Sequence, residues 1–293
     1  MKLQGIFPPI TTPFDYKGDL YKVKLQHNVS KWNLAGLSGY VVCGSTGESV
    51  LLTAEEKVQV WEWAAESAAP ERLLIAGTGA ESVRETVALT NRAAAIGYHA
   101  ALVRTPSYYR SLLDNAAAQA LYFRAVADQA KVPVLIYNFP GVTGLDIAAE
   151  TVAALSEHPN IVGVKESSGN VDKIARMVRE SKPDFQVLVG SARAFLASLD
   201  AGAAGGVLAF ADAAPYATIA IWEAFRARER EAAGDWQNRI CHAVALTDRL
   251  GVPGLKYAMD CNGYYGGPPR LPLIVPSPAA KREIEEAFKD LKS

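Results

Sequence analysis

A lysine stands where an apolar run ends. In "NIVGVKESSGN", Asn160 to Asn170, the residues Ile161-Val162-Gly163-Val164 read as a buried strand with Lys165 at its tip. Burial disfavours the charged form of an amine, and a neutral amine can attack a ketone to form a Schiff base. The iminium is then an electron sink that lets a neighbouring C–C bond break or form. A second reading of the lysine alone is a side chain with a buried stem and a head that reaches the rim or a carboxylate. Tyr137 ends the preceding apolar run. Beside the amine it can carry protons to and from the carbinolamine and the substrate oxygen. On its own it also reads as a core tyrosine with a satisfied hydroxyl.

Three further stretches carry polar groups at the ends of apolar runs. "GSTGES", Gly44 to Ser49, combines glycines with the hydroxyls of Ser45 and Thr46. Successive N–H groups in such a turn suit a carboxylate, although the same cluster also serves as a plain turn before a helix. "SYYR", Ser107 to Arg110, offers two adjacent tyrosines that read as interface residues, as catalytic groups, or as both if the site is completed across a subunit boundary. "GSAR" begins at Gly190. Glu166 is the one carboxylate next to the lysine, and strand alternation sends it to the opposite face from Lys165.

These groups need a frame that gathers strand tips at one end. Eight short runs read as strands: Ile6–Ile10, Tyr40–Cys43, Leu73–Ala76, Ala100–Arg104, Val134–Tyr137, Ile161–Lys165, Val187–Gly190 and Gly206–Ala209. They start roughly 20 to 35 residues apart, enough for the helical crossover that parallel neighbours require. Helical patterns fill the gaps at Ala54–Ala68, Ser82–Ile96, Asn115–Gln129 and Val171–Ser181. The first of these follows Thr53, which with Glu56 forms a T-x-x-E capping box. The order predicts an α/β protein, a (β/α)8 TIM barrel whose active site lies at the C-terminal ends of the strands. An open doubly wound sheet would call for a G-x-G-x-x-G turn after the first strand, and none is found. "GSTGES" lacks a Walker A lysine. After Phe210 the pattern is helical, at Tyr216–Leu250, Gly254–Cys261 and Pro278–Lys289. The expected organisation is a catalytic barrel over 1–212 and a C-terminal helical extension over 213–293 packed on it.

Composition narrows the classes. The chain has 293 residues, 49% of them hydrophobic, ample for a large core. Thirty basic against 31 acidic residues leave a formal charge of −1, with no basic cluster to bind nucleic acid. No run of 18 apolar residues is present to span a membrane, and the N-terminus lacks a signal-peptide core. The three cysteines Cys43, Cys241 and Cys261 are widely spaced, with no CxxC, so neither a disulfide framework nor a zinc site is expected, and a reducing cytoplasmic setting fits. The four histidines, His27, His99, His158 and His242, lie away from the strand tips. No metal site is expected.

"YNFP" followed by "GVKES", with Tyr137 and Lys165 separated by 28 positions, resembles the signature of the dihydrodipicolinate synthase/N-acetylneuraminate lyase family. "GSTGES" and the opening "GIFPPITTPF" share the likeness, which runs over almost the whole chain. The resemblance implies a cofactor-free class I aldolase on a (β/α)8 barrel with C-terminal helices. It implies a 2-oxo acid substrate carrying a pyruvate moiety, and a homotetramer built as a dimer of tight dimers. It makes Lys165 the Schiff-base lysine and Tyr137 the proton-transferring tyrosine. Ser45 and Thr46 match the pair that holds the pyruvate carboxylate. Tyr108 matches the tyrosine that enters the neighbouring subunit's site and completes a hydroxyl relay with Ser45 and Tyr137; Tyr109 is the alternative if the alignment slips by one. Gly190 matches a backbone position lining the pocket.

One departure bears on the substrate. Where the synthases of this family carry an arginine for the carboxylate of the aldehyde partner, this chain has Val142. "TPSYYRS", "HPNIVGVKES", "FQVLVGSA" and "GYYGGPPRLPL" look like the 4-hydroxy-2-oxoglutarate aldolase branch, which yields pyruvate and glyoxylate. Ser167 matches a substrate-contacting serine of that branch, and Arg110 is the candidate cation for the distal carboxylate. The alternatives are a dihydrodipicolinate synthase-type condensation, an N-acetylneuraminate or 2-keto-3-deoxy sugar acid lyase, and a pyruvate-binding sensor barrel without chemistry.

Overall fold

A computed structural model describes residues 2–291. Eight strands form one sheet: β1 (Gly5–Ile6), β2 (Gly39–Val42), β3 (Leu73–Gly77), β4 (Ala100–Arg104), β5 (Val134–Asn138), β6 (Ile161–Glu166), β7 (Gln186–Val189) and β8 (Gly205–Gly206). Their order, β1-β8-β7-β6-β5-β4-β3-β2, follows the chain around the sheet. With a helix after most strands, this is the (β/α)8 barrel that the spacing predicts. Strands β2 to β7 are almost wholly buried, which is why they read as continuous apolar runs rather than alternating ones.

β4 has the expected bounds, β2, β3, β5, β6 and β7 differ from them by one residue at one or both ends, and β1 and β8 differ by more. β1 covers two residues where five were expected. Pro8 and Pro9 have no N–H to donate to a ladder, although the carbonyls of Ile6 and Pro8 still accept from Ser38 and Val41 at 2.9 and 3.0 Å. β8 stops at Gly206 because Ala209 already has helical dihedrals (φ −59°, ψ −32°) and leads into a helix at Phe210–Ala213. β6 runs one residue past the lysine, through Glu166.

The helices follow their capping signals. Helix Ala54–Ser67 starts at the expected capping box: Glu56 N–H donates to Thr53 Oγ1 at 3.2 Å, and Thr53 N–H to Glu56 Oε2 at 2.9 Å. Beyond the barrel, the expected helix Tyr216–Leu250 is two. One is Pro215–Arg226, and the next, Arg230–Cys261, begins after Arg228 turns the chain with φ +64°. Gly251 (φ +63°), two residues before Pro253, kinks the second helix. Helix Pro278–Phe288 closes the described chain.

Two compact units are present, one of residues 2–5 and 74–207 and one of 6–73 and 208–291. The first contains β4 to β8 and all of β3 but its first residue. The second contains β2, the "GSTGES" turn and the C-terminal helices.

Candidate active site

In the first unit, the register of β5 against β6 pairs Tyr137 with Lys165 and Asn138 with Glu166. Paired positions on parallel strands face the same way, so the strand ends present a tyrosine and an amine on one face and an amide and a carboxylate on the other. Lys165 is 5% exposed, and its Nζ sits 4.2 Å from the centre of the Tyr137 ring. Tyr137 is 4% exposed and stacks on Phe139 at 5.9 Å between ring centres. Among the described residues the lysine head pairs with no carboxylate, and it lies under cover against the tyrosine.

Gly190 makes room for this arrangement. A Cβ there would overlap Ser167 Oγ and lie 3.1 Å from Lys165 Cε. The serine hydroxyl and the lysine stem thus occupy the space of the missing side chain. Ser167 Oγ is buried with no hydrogen-bond partner among the described residues. An unpaired buried hydroxyl beside an amine is suited to a polar ligand, since leaving it unpaired is costly. Gly190 N–H donates to Glu166 O at 2.7 Å, and Ser167 N–H to Asn138 O at 2.9 Å, so the tips of β5, β6 and β7 are tied together.

The opposite face of β6 carries a charge network that the sequence reading did not find. Glu166 is fully buried, accepting from Asn138 Nδ2 at 2.7 Å and from Ser168 N–H at 2.6 Å, with Lys173 Nζ at 3.2 Å. Asn138 also donates to Asp146 at 2.8 Å and accepts from Ile147 N–H at 3.0 Å, and Lys173 pairs with Asp146. This network fixes the backbone on which Lys165 and Ser167 are mounted. Only the alternation of Lys165 and Glu166 hinted at it.

Tyr108 and Arg110 lie on the rim. The Tyr108 ring is 79% exposed and packs edge-on against Tyr109 at 5.2 Å. Glu81 anchors the loop: its Oε2 accepts from Ser107 and Tyr108 N–H at 2.9 and 3.0 Å, and its Oε1 meets Arg104 at 2.8 Å. Burial alone would push the Glu81 carboxyl up, but the Tyr108 N–H, Arg104 and the Ser107 N–H together hold it below its usual range. Arg110 lies across Gly144, where a Cβ would come within 2.8 Å of Arg110 Cδ and 3.3 Å of Cζ. The guanidinium therefore stands over the C-terminal end of the short helix Pro140–Thr143 that holds Val142, itself 64% exposed.

In the second unit, Ser45 and Thr46 open a turn in which Glu48 N–H donates to Ser45 O at 3.1 Å and Ser49 N–H to Gly44 O at 3.3 Å. Thr46 is 9% exposed. Cys43 and Glu48, on either side, both have left-handed backbones (φ +60° and +55°) without being glycine. Burial pushes the Cys43 thiol up, in keeping with a packing role. Glu48 is fully buried against Lys256, also fully buried, at 2.5 Å. Arg270 adds its own N–H to Glu48 at 2.8 Å and grips Glu56 through both carboxylate oxygens at 2.7 and 2.8 Å. No local motif could have shown these pairs, because their partners lie far apart in the chain.

His158 uses both ring nitrogens locally, one with Asp128 at 3.0 Å and the other accepting from Asn160 N–H at 3.1 Å. Among the described residues, no group of three His, Cys, Asp or Glu side chains is placed to hold a metal ion, and no helix is long and apolar enough to cross a membrane.

The model of the dihydrodipicolinate synthetase family matches residues 2–291. The chain belongs to the dihydrodipicolinate synthetase family. Within that family of aldolases and lyases it is 37% identical, over 291 residues, to a probable 4-hydroxy-2-oxoglutarate aldolase of Emericella nidulans that is named as mitochondrial, covering 98% of this chain and 94% of that one. It is 38% identical over 288 residues to a 4-hydroxy-tetrahydrodipicolinate synthase of Xanthomonas campestris pv. campestris, covering 96% and 94%. Among solved structures, a prophage protein of E. coli K12 of the dihydrodipicolinic acid synthase family, in complex with pyruvate, superposes with a TM-score of 0.93 at 26% identity, covering 99% of this chain and 98% of that one.

Proposed function

We propose that this protein is a metal-independent, lysine Schiff-base aldolase whose substrate is 4-hydroxy-2-oxoglutarate, cleaved to pyruvate and glyoxylate. The observation that carries the reading is the covered Lys165 amine held against Tyr137, with the Ser167 hydroxyl and the Gly190 gap beside it. Ser45 and Thr46 hold the C1 carboxylate. The neutral amine attacks C2, Tyr137 delivers protons, and water leaves to give the iminium. Tyr137, deprotonated by that delivery, takes the proton of the C4 hydroxyl as the C3–C4 electron pair moves into the iminium, and glyoxylate departs. Tyr137 returns this proton to C3 of the enamine, and water hydrolyses the iminium to release pyruvate and free lysine, giving the last proton back to Tyr137.

Two observations favour this aldehyde half over the synthase reaction. Val142 is aliphatic and cannot pair with a carboxylate. Arg110 brings a cation to the end of the same short helix from another direction, over Gly144. The synthase reading keeps support from relatives of that name at similar identity. An assay of pyruvate release from a panel of 2-oxo acids separates the two. Release from 4-hydroxy-2-oxoglutarate above the sugar acids supports the proposal, and condensation of pyruvate with aspartate semialdehyde at a higher kcat/KM contradicts it.

The assembly we propose is a homotetramer of two tight dimers, with Tyr108 serving the neighbouring site. The exposed ring of Tyr108 supports that role, and a monomeric mass in solution at full activity would rule it out. The three free cysteines fit a reducing, cytoplasmic compartment.

A further inference from the structure

We infer that the buried Glu48–Lys256 pair is a positioning device for the Ser45–Thr46 turn, through which the C-terminal helical segment sets the affinity for the substrate's C1 carboxylate. The inference rests on the reading that Ser45 and Thr46 hold that carboxylate.

The turn is clamped from behind at consecutive residues. Thr12 Oγ1 donates to Gly47 O at 2.7 Å. The Thr12 carbonyl in turn accepts from Lys256 Nζ at 2.9 Å, and Lys256 also donates to Pro268 O at 3.1 Å. Its ammonium lies 2.5 Å from Glu48 and 4.5 Å from the centre of the Phe14 ring. Arg270 N–H holds the other Glu48 oxygen at 2.8 Å, and its guanidinium reaches Leu51 O at 2.9 Å. Glu48 thus has an ion-pair contact but no hydrogen bond on Oε1 and a hydrogen-bond donor on Oε2, while its backbone is left-handed, a conformation that an L-residue adopts at a cost.

Stability alone does not account for such a pair. Two charges taken fully out of water gain little net stabilisation over apolar residues of the same shape, whereas removing one partner is strongly destabilising. What the pair does provide is direction: a short, charge-assisted contact fixes Glu48, and Glu48 N–H is bonded to Ser45 O. Burial pushes the Lys256 ammonium toward its neutral form and Glu48 opposes this. No group in the clamp is required to touch substrate, so its effect must pass through the turn.

The test is borohydride trapping of pyruvate on Lys165, read as the half-saturating pyruvate concentration and the labelled fraction at saturation, alongside the melting temperature. The variants are Glu48→Asp, the double change Glu48→Gln with Lys256→Met, and Thr46→Val as the reference for the carboxylate reading. The double change removes both charges and is expected to melt close to the unaltered protein. Its half-saturating pyruvate rises about tenfold or more, the scale of a misplaced binding group, with labelling at saturation unchanged. Glu48→Asp keeps the charge, withdraws the carboxylate by one methylene and shifts half-saturation in the same direction. Folded Glu48 variants with unaltered half-saturation overturn the inference. So does an equal loss of labelling at saturating pyruvate, since that places the effect on the amine. If Thr46→Val raises half-saturation while the Glu48 variants do not, the inference falls alone. If Thr46→Val has no effect, the carboxylate reading falls and takes the inference with it.

Discussion

Lys165 and Tyr137 are register partners on adjacent parallel strands, and the amine lies 4.2 Å from the centre of the tyrosine ring. The sheet itself sets this relationship. The backbone positions of both residues are held by strand ends that hydrogen bonds tie to their neighbours.

Tyr137→Phe keeps the ring and its packing and removes the hydroxyl. Turnover is expected to fall by about 10² to 10⁴, the usual scale of general acid–base help, with little change in melting temperature. Steady-state kinetics beside a thermal melt check this. A melt that drops as steeply as the rate would reassign the tyrosine to a structural role.

Gly190→Ala places a methyl group where Ser167 Oγ and Lys165 Cε now meet. Overpacking of this kind costs roughly 1–3 kcal/mol, and either the serine or the lysine stem must give way. The expected result is a folded, destabilised protein with strongly reduced imine formation, measured by chemical denaturation and adduct trapping.

Arg110→Ala removes the guanidinium over Gly144. KM for the dicarboxylic 2-oxo acid should rise about tenfold or more, as for a lost charge-assisted contact of 1.5–3 kcal/mol, while half-saturation by pyruvate hardly moves. Equal small effects on both would exclude Arg110 from the distal subsite.

The Arg270–Glu56 contact predicts acid sensitivity. Arg270 holds the Glu56 carboxyl below its usual value of 4.5, aided by the Thr53 N–H and opposed by burial. The unfolded chain therefore takes up this proton at a higher pH than the folded one. The contribution is fully present above 4.5 and is lost as pH falls through the depressed value. Glu56→Gln should lower the melting temperature at neutral pH, and its gap from the unaltered protein should close well below pH 4.5. A gap independent of pH would contradict the assignment.

The barrel was legible because strands buried on both faces read as apolar runs, and crossover helices impose a regular spacing between them. The ends of β1 and β8 were less so: Pro8 and Pro9 interrupt donors without interrupting the apolar pattern, and Ala209 fits strand and helix equally well. At the site, Lys165, Tyr137, Ser167 and Gly190 stood out because each sits at or just past a strand tip. The supporting charges did not. Glu48 and the Arg270 N–H that it accepts are 222 positions apart, and Asn138 and Glu166 meet only once the register of β5 and β6 is known. Such partners are set by tertiary packing, which no local pattern encodes.

The account depends most directly on which lysine forms the imine. The protein is incubated with pyruvate and borohydride, weighed intact and then mapped by peptide. The expected result is a gain of one reduced pyruvyl group per chain, located on Lys165 and absent from Lys165→Ala. An unchanged mass, or the same gain on any other lysine, would contradict the account.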